Sequence, residues 1–159
     1  MAATAKYREL STDELNALEK EFVDYLIVNG ITADNWVRIK EEELEKAEDI
    51  ITLFSDVVME GVLRKIQYLE FRSSRDIKTF QCLTDKIVLV GMTTTNERID
   101  FTNESFFASA SVNPPEGVKV YTTEKSYKIK REEELFKMIQ AGCEISDGKL
   151  FKTISMSLG

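Results

Sequence analysis

Histidine is absent from the 159-residue chain, and this removes the commonest catalytic and metal-binding arrangements. A Ser-His-Asp triad, a Cys-His pair and a His-ligated zinc site all need that residue. The two cysteines, Cys82 and Cys143, are far apart and match no zinc-ligand spacing. We therefore expect each cysteine to be a small buried hydrophobe, and any acid–base chemistry would need Asp, Glu, Lys, Tyr or Cys with a shifted pKa.

The spacing of the seven glycines excludes most nucleotide-binding loops. No two glycines are close enough to form a GxGxxG motif. The segment Gly142–Leu150 comes nearest to a phosphate-binding loop, but it has one residue too many before its lysine. It also lacks the Ser or Thr that would bind Mg²⁺. We interpret Asp147–Gly148 as a turn instead.

A group of arginines is the one candidate for binding a small anion. Arg64, Arg72 and Arg75 flank the predicted end of a long helix, and Ser73 lies between the last two. Guanidinium groups bind carboxylates and phosphates through paired hydrogen bonds, so these four residues form a candidate anion-binding site. The alternative is structural, since cations near the end of a helix offset its dipole. For Arg64 this alternative includes an ion pair with a neighbouring carboxylate, from Asp56, Glu60 or Glu70.

The acidic run at residues 41–49 and the basic strip at residues 119–131 have simpler interpretations than a site. A helix points successive carboxylates in different directions, so we interpret the acidic run as a solvated face and assign no metal. The basic strip mixes lysines with Tyr121 and Tyr127, a composition that suits single-stranded nucleic acid. An exposed edge strand kept soluble by lysines explains the strip better, because the chain as a whole is acidic.

Charge is divided unevenly along the chain. Residues 1–70 hold 16 acidic and 8 basic side chains, a net charge of −8, whereas residues 71–159 hold 12 and 13, a net charge of +1. Such asymmetry indicates a protein partner, self-association, or opposed faces that meet within one molecule.

The first half of the chain has helical periodicity with clear boundaries. Ser11 and Glu14 match a capping box, and the flanking Leu10 and Leu15 match a hydrophobic staple. The apolar stripe that follows ends at Asn29–Gly30, a typical helix stop.

Two further helices follow. Thr32 is placed to cap a short helix that runs to about residue 40. A long helix is predicted from about Leu44 to Leu69, apolar over a broad arc and therefore buried. Gly61 falls within this arc, so we expect another backbone to pack against it and Gly61→Ala to destabilise the protein.

From residue 76 onward the pattern is that of strands. The predicted strands, after a loop at 72–76, are 77–83, 87–92, 98–101, 118–122 and 149–155, with 127–130 extending or pairing with the fourth. Asn103 is placed to cap a short helix before Pro114. A last helix is predicted at Glu132–Gln140, where Gly142 ends it.

Helices first and strands later predict an α+β fold. We expect N-terminal helices, including one long buried helix, packed on a mainly antiparallel sheet of about four strands, with a C-terminal helix. The length fits a single domain over residues 1–159, with a helical part at about 10–71 and a sheet-rich part at about 76–156.

Features of the opening residues and of the apolar runs indicate a compartment. The opening residues lack the apolar core of a signal peptide, and the longest apolar run, residues 87–92, is too short to span a bilayer. We expect a cytoplasmic protein with reduced thiols and no membrane partner.

Three groups of residues resemble a known family. They are Lys6–Ser11; Phe54–Val58 with Leu63–Lys65 and Tyr68–Ser73; and Glu134–Phe136 with Gly142 and Ser146–Gly148. Together they resemble an uncharacterised family of bacterial proteins of about this length, a domain of unknown function. The resemblance implies a bacterial cytoplasmic protein and transfers no catalytic residue.

These observations favour a non-enzymatic protein-interaction module over an enzyme. We expect a protein partner, or a second copy in a homodimer, rather than nucleic acid, and we assign no catalytic residue, cofactor or metal. The alternative is a binder of a small anionic ligand, or a histidine-independent enzyme, that uses the arginine group.

Overall fold

The computed structural model describes residues 4–103 and 117–158 and confirms the α+β class. The chain divides into two compact units, residues 1–64 and residues 65–159, which we call the helical unit and the sheet unit. The boundary falls earlier than the sequence indicated, because residues 68–72 form a strand and not the end of a helix. A single domain over the whole chain stays a prediction.

Four helices make up the described part of the helical unit: α1 Thr12–Ala17, α2 Glu19–Val28, α3 Ala33–Glu42 and α4 Leu44–Lys65, which runs one residue into the sheet unit. The predicted starts are confirmed. Ser11 and Glu14 form a complete capping box, and the Thr32 side chain accepts the N–H of Asn35 at 3.1 Å. The first predicted helix is interrupted at Leu18, which separates α1 from α2.

An aromatic cluster joins α2, α3 and α4. The Phe22 ring meets the rings of Trp36 and Phe54 edge to face, with centroids 5.2 and 4.9 Å apart, and Tyr25 lies 5.4 Å from Phe54. Such pairs add to the free energy of burying the rings themselves. Phe54 is only 2% exposed, so α4 contributes the centre of the cluster.

The long helix differs from its prediction in two ways. It ends at Lys65 instead of continuing to Leu69, and its apolar arc is wider than the face that is packed. Leu53 and Val57 are 52% and 56% exposed. The expectation for Gly61 was wrong, since a Cβ built there meets nothing within 4 Å.

The sheet unit is a five-stranded antiparallel sheet with the order β4-β3-β2-β1-β5. Its strands are β1 Tyr68–Arg72, β2 Asp76–Cys82, β3 Lys86–Thr94, β4 Val118–Ser126 and β5 Glu144–Ser146. Within residues 65–103 and 117–158, two helices accompany them, α5 Arg131–Gln140 and α6 Lys149–Ser155.

Four of the predicted elements of this unit are confirmed, and three are wrong. The hairpin β2–β3, strand β4 and helix α5 lie where the sequence placed them. Residues 98–101 and 127–130 are not strands, and residues 149–155 form a helix. The last error has a simple cause, because Leu150, Phe151 and Ile154 fit helical spacing as well as strand spacing. Strands β1 and β5 were missed, and the helix expected after Asn103 lies outside the described residues.

The two faces of the sheet carry different helices. Phe151 and Ile154 of α6 pack with Ile77, Val90 and Met92, which share one face. Side chains alternate between faces along a strand, so Lys125 points to the other face, where it lies 3.6 Å from Glu134 of α5. Within the described ranges no helix is long and apolar enough to cross a membrane.

Candidate functional site

The residues that precede α1, Lys6–Ser11, lie along α4, and we call this segment the strap. Its first half is held by carboxylates of α4. Asp56 accepts the N–H of Lys6 at 2.9 and 3.0 Å and the N–H of Tyr7 at 3.2 Å. The Tyr7 hydroxyl donates to Glu60. The helix therefore binds the main chain of the strap much as a peptide-binding protein binds a peptide.

The second half of the strap is held by hydroxyls that are hidden from water. The N–H of Leu10 donates to Ser55 Oγ at 3.0 Å, and this hydroxyl donates to the carbonyl oxygen of Ile51 at 2.9 Å. Thr52 donates to the carboxylate of Glu9 at 2.5 Å. Ser55 and Thr52 are 0% and 1% exposed, so a lost partner here would leave a buried polar group unsatisfied.

A surface ion pair secures the strap to the start of α1. Arg8 and Glu14 form two parallel hydrogen bonds of 2.8 Å, and the N–H of Ser11 donates to Glu14 at 2.9 Å. The Arg8 guanidinium, followed by the Ser11 N–H, lowers the pKa of Glu14 to about 2. Because the pair is exposed to solvent, its contribution to stability is modest.

A cleft of about 380 Å³ opens between the strap, α1 and α4. Its apolar wall consists of Leu10, Leu15 and Ile51, and the acidic groups that line it are Glu9, Glu48 and Asp49. Glu9 and Glu48 are exposed and Asp49 is half-buried, whereas Leu10 is 7% exposed. The cleft is therefore amphipathic, with hydrocarbon inside and carboxylates nearer to water.

The surroundings strengthen this negative character. The helical unit holds 15 acidic and 7 basic side chains, a net charge of −8, whereas the sheet unit holds 13 and 14, a net charge of +1. The acidic excess seen in the sequence thus coincides with one structural unit, the one that contains the cleft. A field of one sign attracts ligands of the opposite sign.

The groups that line the cleft suit the side chain of a basic residue. The Thr52 hydroxyl, which is part of the described lining, already donates to Glu9. Among the described residues no group of three or more His, Cys, Asp or Glu side chains is arranged to hold a metal ion. A lysine or arginine side chain matches the lining, because it carries a cation at the end of a hydrocarbon stem.

The predicted arginine group does not lie in one unit. Arg64 is in the helical unit, where its side chain is 68% exposed and lies 3.5 Å from Glu60. The ion pair expected for Arg64 is therefore present. The rest of the side chain extends into solvent.

Arg72, Ser73 and Arg75 are together at the turn between β1 and β2, and their polar groups have partners in their own unit. Arg72 pairs with Glu70 at 3.0 Å, and the Ser73 hydroxyl donates to the carbonyl oxygen of Asp76 at 2.7 Å. Arg75 donates to the carbonyl oxygens of residues 96 and 97 at 3.3 and 3.2 Å. Anion binding by this group stays a prediction.

A second cluster, around Arg131, stabilises the fold by binding main-chain carbonyl oxygens. The Arg131 guanidinium donates to the carbonyl oxygens of Leu83 at 3.1 Å and Cys82 at 3.2 Å, and also to that of Ile66. Burial raises the pKa of the Cys82 thiol to about 11, so the thiol stays protonated and weakly nucleophilic. Both cysteines are free, and Cys82 is buried as expected, whereas Cys143 is half-buried.

Glu134 lies beside this cluster with one oxygen in contact with Lys125. It is 9% exposed, and its Oε2 has no hydrogen-bond partner among the described residues. Lys125 lies on β4 and Glu134 on α5, so this carboxylate belongs to the contact between the two elements.

The basic strip lies partly on β4, at one edge of the sheet formed by the described strands. The hydroxyls of its two tyrosines form hydrogen bonds within the sheet unit. The Tyr121 hydroxyl donates to Asp76 and that of Tyr127 to the carbonyl oxygen of Leu83, each at 2.7 Å. Burial raises the pKa of Tyr127 to about 12. Among the described strands, Val118–Ser126 lies at the edge of the sheet, in agreement with the edge-strand interpretation.

Sequence reasoning did not find the cleft, although it noted most of its parts. Leu10 and Leu15 were identified as a staple, and Glu48 and Asp49 belong to the acidic run interpreted as a solvated face. Residues 41–46 and Glu48 are indeed exposed. The missing information was that α4 lies against the strap, a contact between residues about 45 positions apart.

The architecture and the site together define an α+β protein with an acid-lined cleft in its helical unit. The chain belongs to a family of unknown function, DUF6495, whose family model matches residues 1–159. This confirms the resemblance to an uncharacterised family of about this length, while a bacterial origin stays an expectation. Neither the curated proteins nor the solved structures contain a match.

Proposed function

We propose that this protein is a non-enzymatic, cytoplasmic protein-interaction module whose helical unit binds a basic segment of a partner protein. The observation that carries the proposal is the amphipathic cleft, whose apolar wall and carboxylates complement a lysine or arginine side chain. The hydrocarbon stem would pack on Leu10, Leu15 and Ile51. The cation would meet Glu9, Glu48 or Asp49, where charge-assisted hydrogen bonds are strong.

The charge of the helical unit supports a basic protein segment over an anionic partner. A net charge of −8 repels phosphate, so nucleic acids and small anions are disfavoured near the cleft. The same charge would speed the encounter with a basic segment, and the effect should weaken as salt screens it. The basic strip of a second copy would be one such segment, which makes a homodimer one outcome of the test.

The test is a binding measurement with synthetic peptides and the full chain. Fluorescence anisotropy would compare labelled peptides that carry one lysine or arginine between apolar residues with peptides in which glutamine or glutamate replaces the cation. We expect binding only by the cationic peptides, with an affinity that falls as salt rises. Analytical ultracentrifugation of the chain alone would show whether a second copy takes this role.

Matched variants locate the binding. The double variant Glu48→Gln, Asp49→Asn should weaken binding about tenfold or more, since each change removes a charged acceptor. The double variant Asp24→Asn, Glu41→Gln removes the same charge from exposed positions outside the cleft lining. Equal weakening by both pairs would show a general charge effect and overturn the cleft as the site. Failure of every cationic peptide to bind would overturn the proposed function.

A further inference from the structure

We infer that the strap forms one wall of the cleft only while it is docked on α4. Docking of the strap and binding in the cleft are therefore coupled, and Ser55 is a positioning residue. This inference rests on the proposed function and adds how the site is assembled. Ser55 is not among the residues that line the cleft. Its influence on binding would therefore pass through the strap.

The composition of the cleft shows why the strap matters. Glu9 and Leu10 belong to the strap itself, and Leu15 lies in α1, which begins directly after it. Only Glu48, Asp49 and the rest of the α4 side would remain in place if the strap moved away. The cleft thus loses one carboxylate and part of its apolar wall whenever the strap leaves the helix.

The contacts of the strap with α4 depend on a few side chains. Asp56 and Ser55 accept hydrogen bonds from its main-chain N–H groups. Its buried side chains are those of Tyr7 and Leu10, which are 8% and 7% exposed. A main chain held by side chains is sensitive to single substitutions, unlike one held in a ladder of main-chain bonds. Loss of the Ser55 hydroxyl would leave the N–H of Leu10 without its acceptor at a fully buried position.

Coupling follows because the strap has two states, one docked on α4 and one away from it. If a ligand contacts Glu9 or Leu10, it binds the docked state more tightly and shifts the population toward it. Conversely, a substitution that lowers the docked fraction lowers the apparent affinity by that fraction, although no ligand contact has changed. The strap therefore sets how strongly the cleft binds.

The experiment compares Ser55→Ala with Thr32→Ala in the full chain. Thr32→Ala removes the cap of α3, so it destabilises the same unit without touching the strap. We expect Ser55→Ala to weaken binding of the cationic peptide about tenfold and Thr32→Ala to leave it unchanged. Hydrogen exchange at the Leu10 amide should be faster in Ser55→Ala and should slow in the wild-type chain when the peptide is added.

The outcomes separate the inference from the function on which it rests. If the wild-type chain binds the peptide and Ser55→Ala binds it equally well, despite faster exchange at Leu10, the inference is overturned and the proposed function stands. If the wild-type chain binds no cationic peptide, the proposed function is overturned, and the inference that rests on it is overturned with it. Should Ser55→Ala fail to fold, as judged by Trp36 fluorescence, Asp56→Asn replaces it with the same expected directions.

Discussion

The helical unit and the sheet unit hold their main chains in different ways. In the helical unit, side chains of α4 bind the main chain of the strap, through Asp56 and Ser55. In the sheet unit, main chain binds main chain along four antiparallel strand pairs. Side-chain anchors can be changed one at a time, whereas a ladder resists local change. A site that must respond to a ligand therefore fits the helical unit better.

Arg131 is an exception in the sheet unit, because this one side chain binds the carbonyl oxygens of three residues. It is also the residue whose loss should have the largest effect. Arg131→Ala would leave the carbonyl oxygens of Ile66, Cys82 and Leu83 without these donors in a half-buried setting. We expect a loss of about 3 kcal/mol in the free energy of unfolding, measured by urea denaturation.

A control sharpens this first prediction. Lys128→Ala removes a nearby exposed cation and should change the free energy of unfolding by less than about 0.5 kcal/mol. Arg131→Lys keeps the charge but lacks the planar fork, so it should recover only part of the loss. Full recovery by lysine would mean that charge matters here and that the carbonyl contacts do not.

Gly91 tests the tight packing of the sheet unit. A Cβ at this position would lie 2.5 Å from the Tyr121 ring and 2.8 Å from the carbonyl oxygen of Ile77. Because the main chain of β2 cannot give way easily, Gly91→Ala should destabilise the unit by about 1–3 kcal/mol. Chemical denaturation checks the value, and hydrogen exchange should show the loss in β2, β3 and β4. An unchanged denaturation midpoint would contradict this view of the sheet face.

Gly61 provides the matching test in the helical unit. Since nothing lies within 4 Å of a Cβ built there, Gly61→Ala should raise the free energy of unfolding by about 0.5–1 kcal/mol through helix propensity alone. Chemical denaturation should show a higher midpoint with an unchanged m-value. Destabilisation would mean that some surface does pack on this part of α4, and the contrast with Gly91 would disappear.

The smallest expected effect concerns pH and the Arg8–Glu14 pair. The pKa of Glu14 is lowered to about 2 in the folded protein, from an ordinary value of 4.5. A lowered folded-state pKa means that the stabilisation is complete above about 4.5 and is lost as the pH falls toward 2. As the pH falls through this range, the free energy of unfolding of Glu14→Gln should therefore decrease less steeply than that of the wild-type chain. Circular dichroism would measure the stability of both proteins against pH. Parallel curves would contradict the assignment of the lowered pKa to Glu14.

The features that could be predicted from the sequence are those whose partners are close in the chain. The capping box at Ser11 joins residues three apart, and the β2–β3 hairpin is closed by a short turn between strands of matching pattern. The acidic excess of the helical unit is a property of composition. For each of these, the pattern itself contains both partners.

The predictions that failed concern the surroundings of an element. The apolar arc of α4 indicated burial, yet its neighbours cover only a part of that arc. Gly61 belongs to the part that no neighbour covers. Residues 149–155 fit both a strand and a helix, and their packing with Ile77 and Val90 belongs to a helix. Periodicity shows which side chains share a face, but it does not show what covers that face.

The sequence alone determined the class of fold, the starts of the capped helices, the β2–β3 hairpin, the membership of an uncharacterised family and the absence of histidine chemistry. Tertiary structure alone decided that the strap lies on α4, that a cleft with carboxylates opens beside it, and that Arg131 binds the carbonyl oxygens of three separate residues. The physical reason is distance along the chain. Leu10 and Ser55 are 45 positions apart, and Arg131 and Ile66 are 65 apart. Contacts at such separations leave no repeating pattern, because they depend on how whole elements pack.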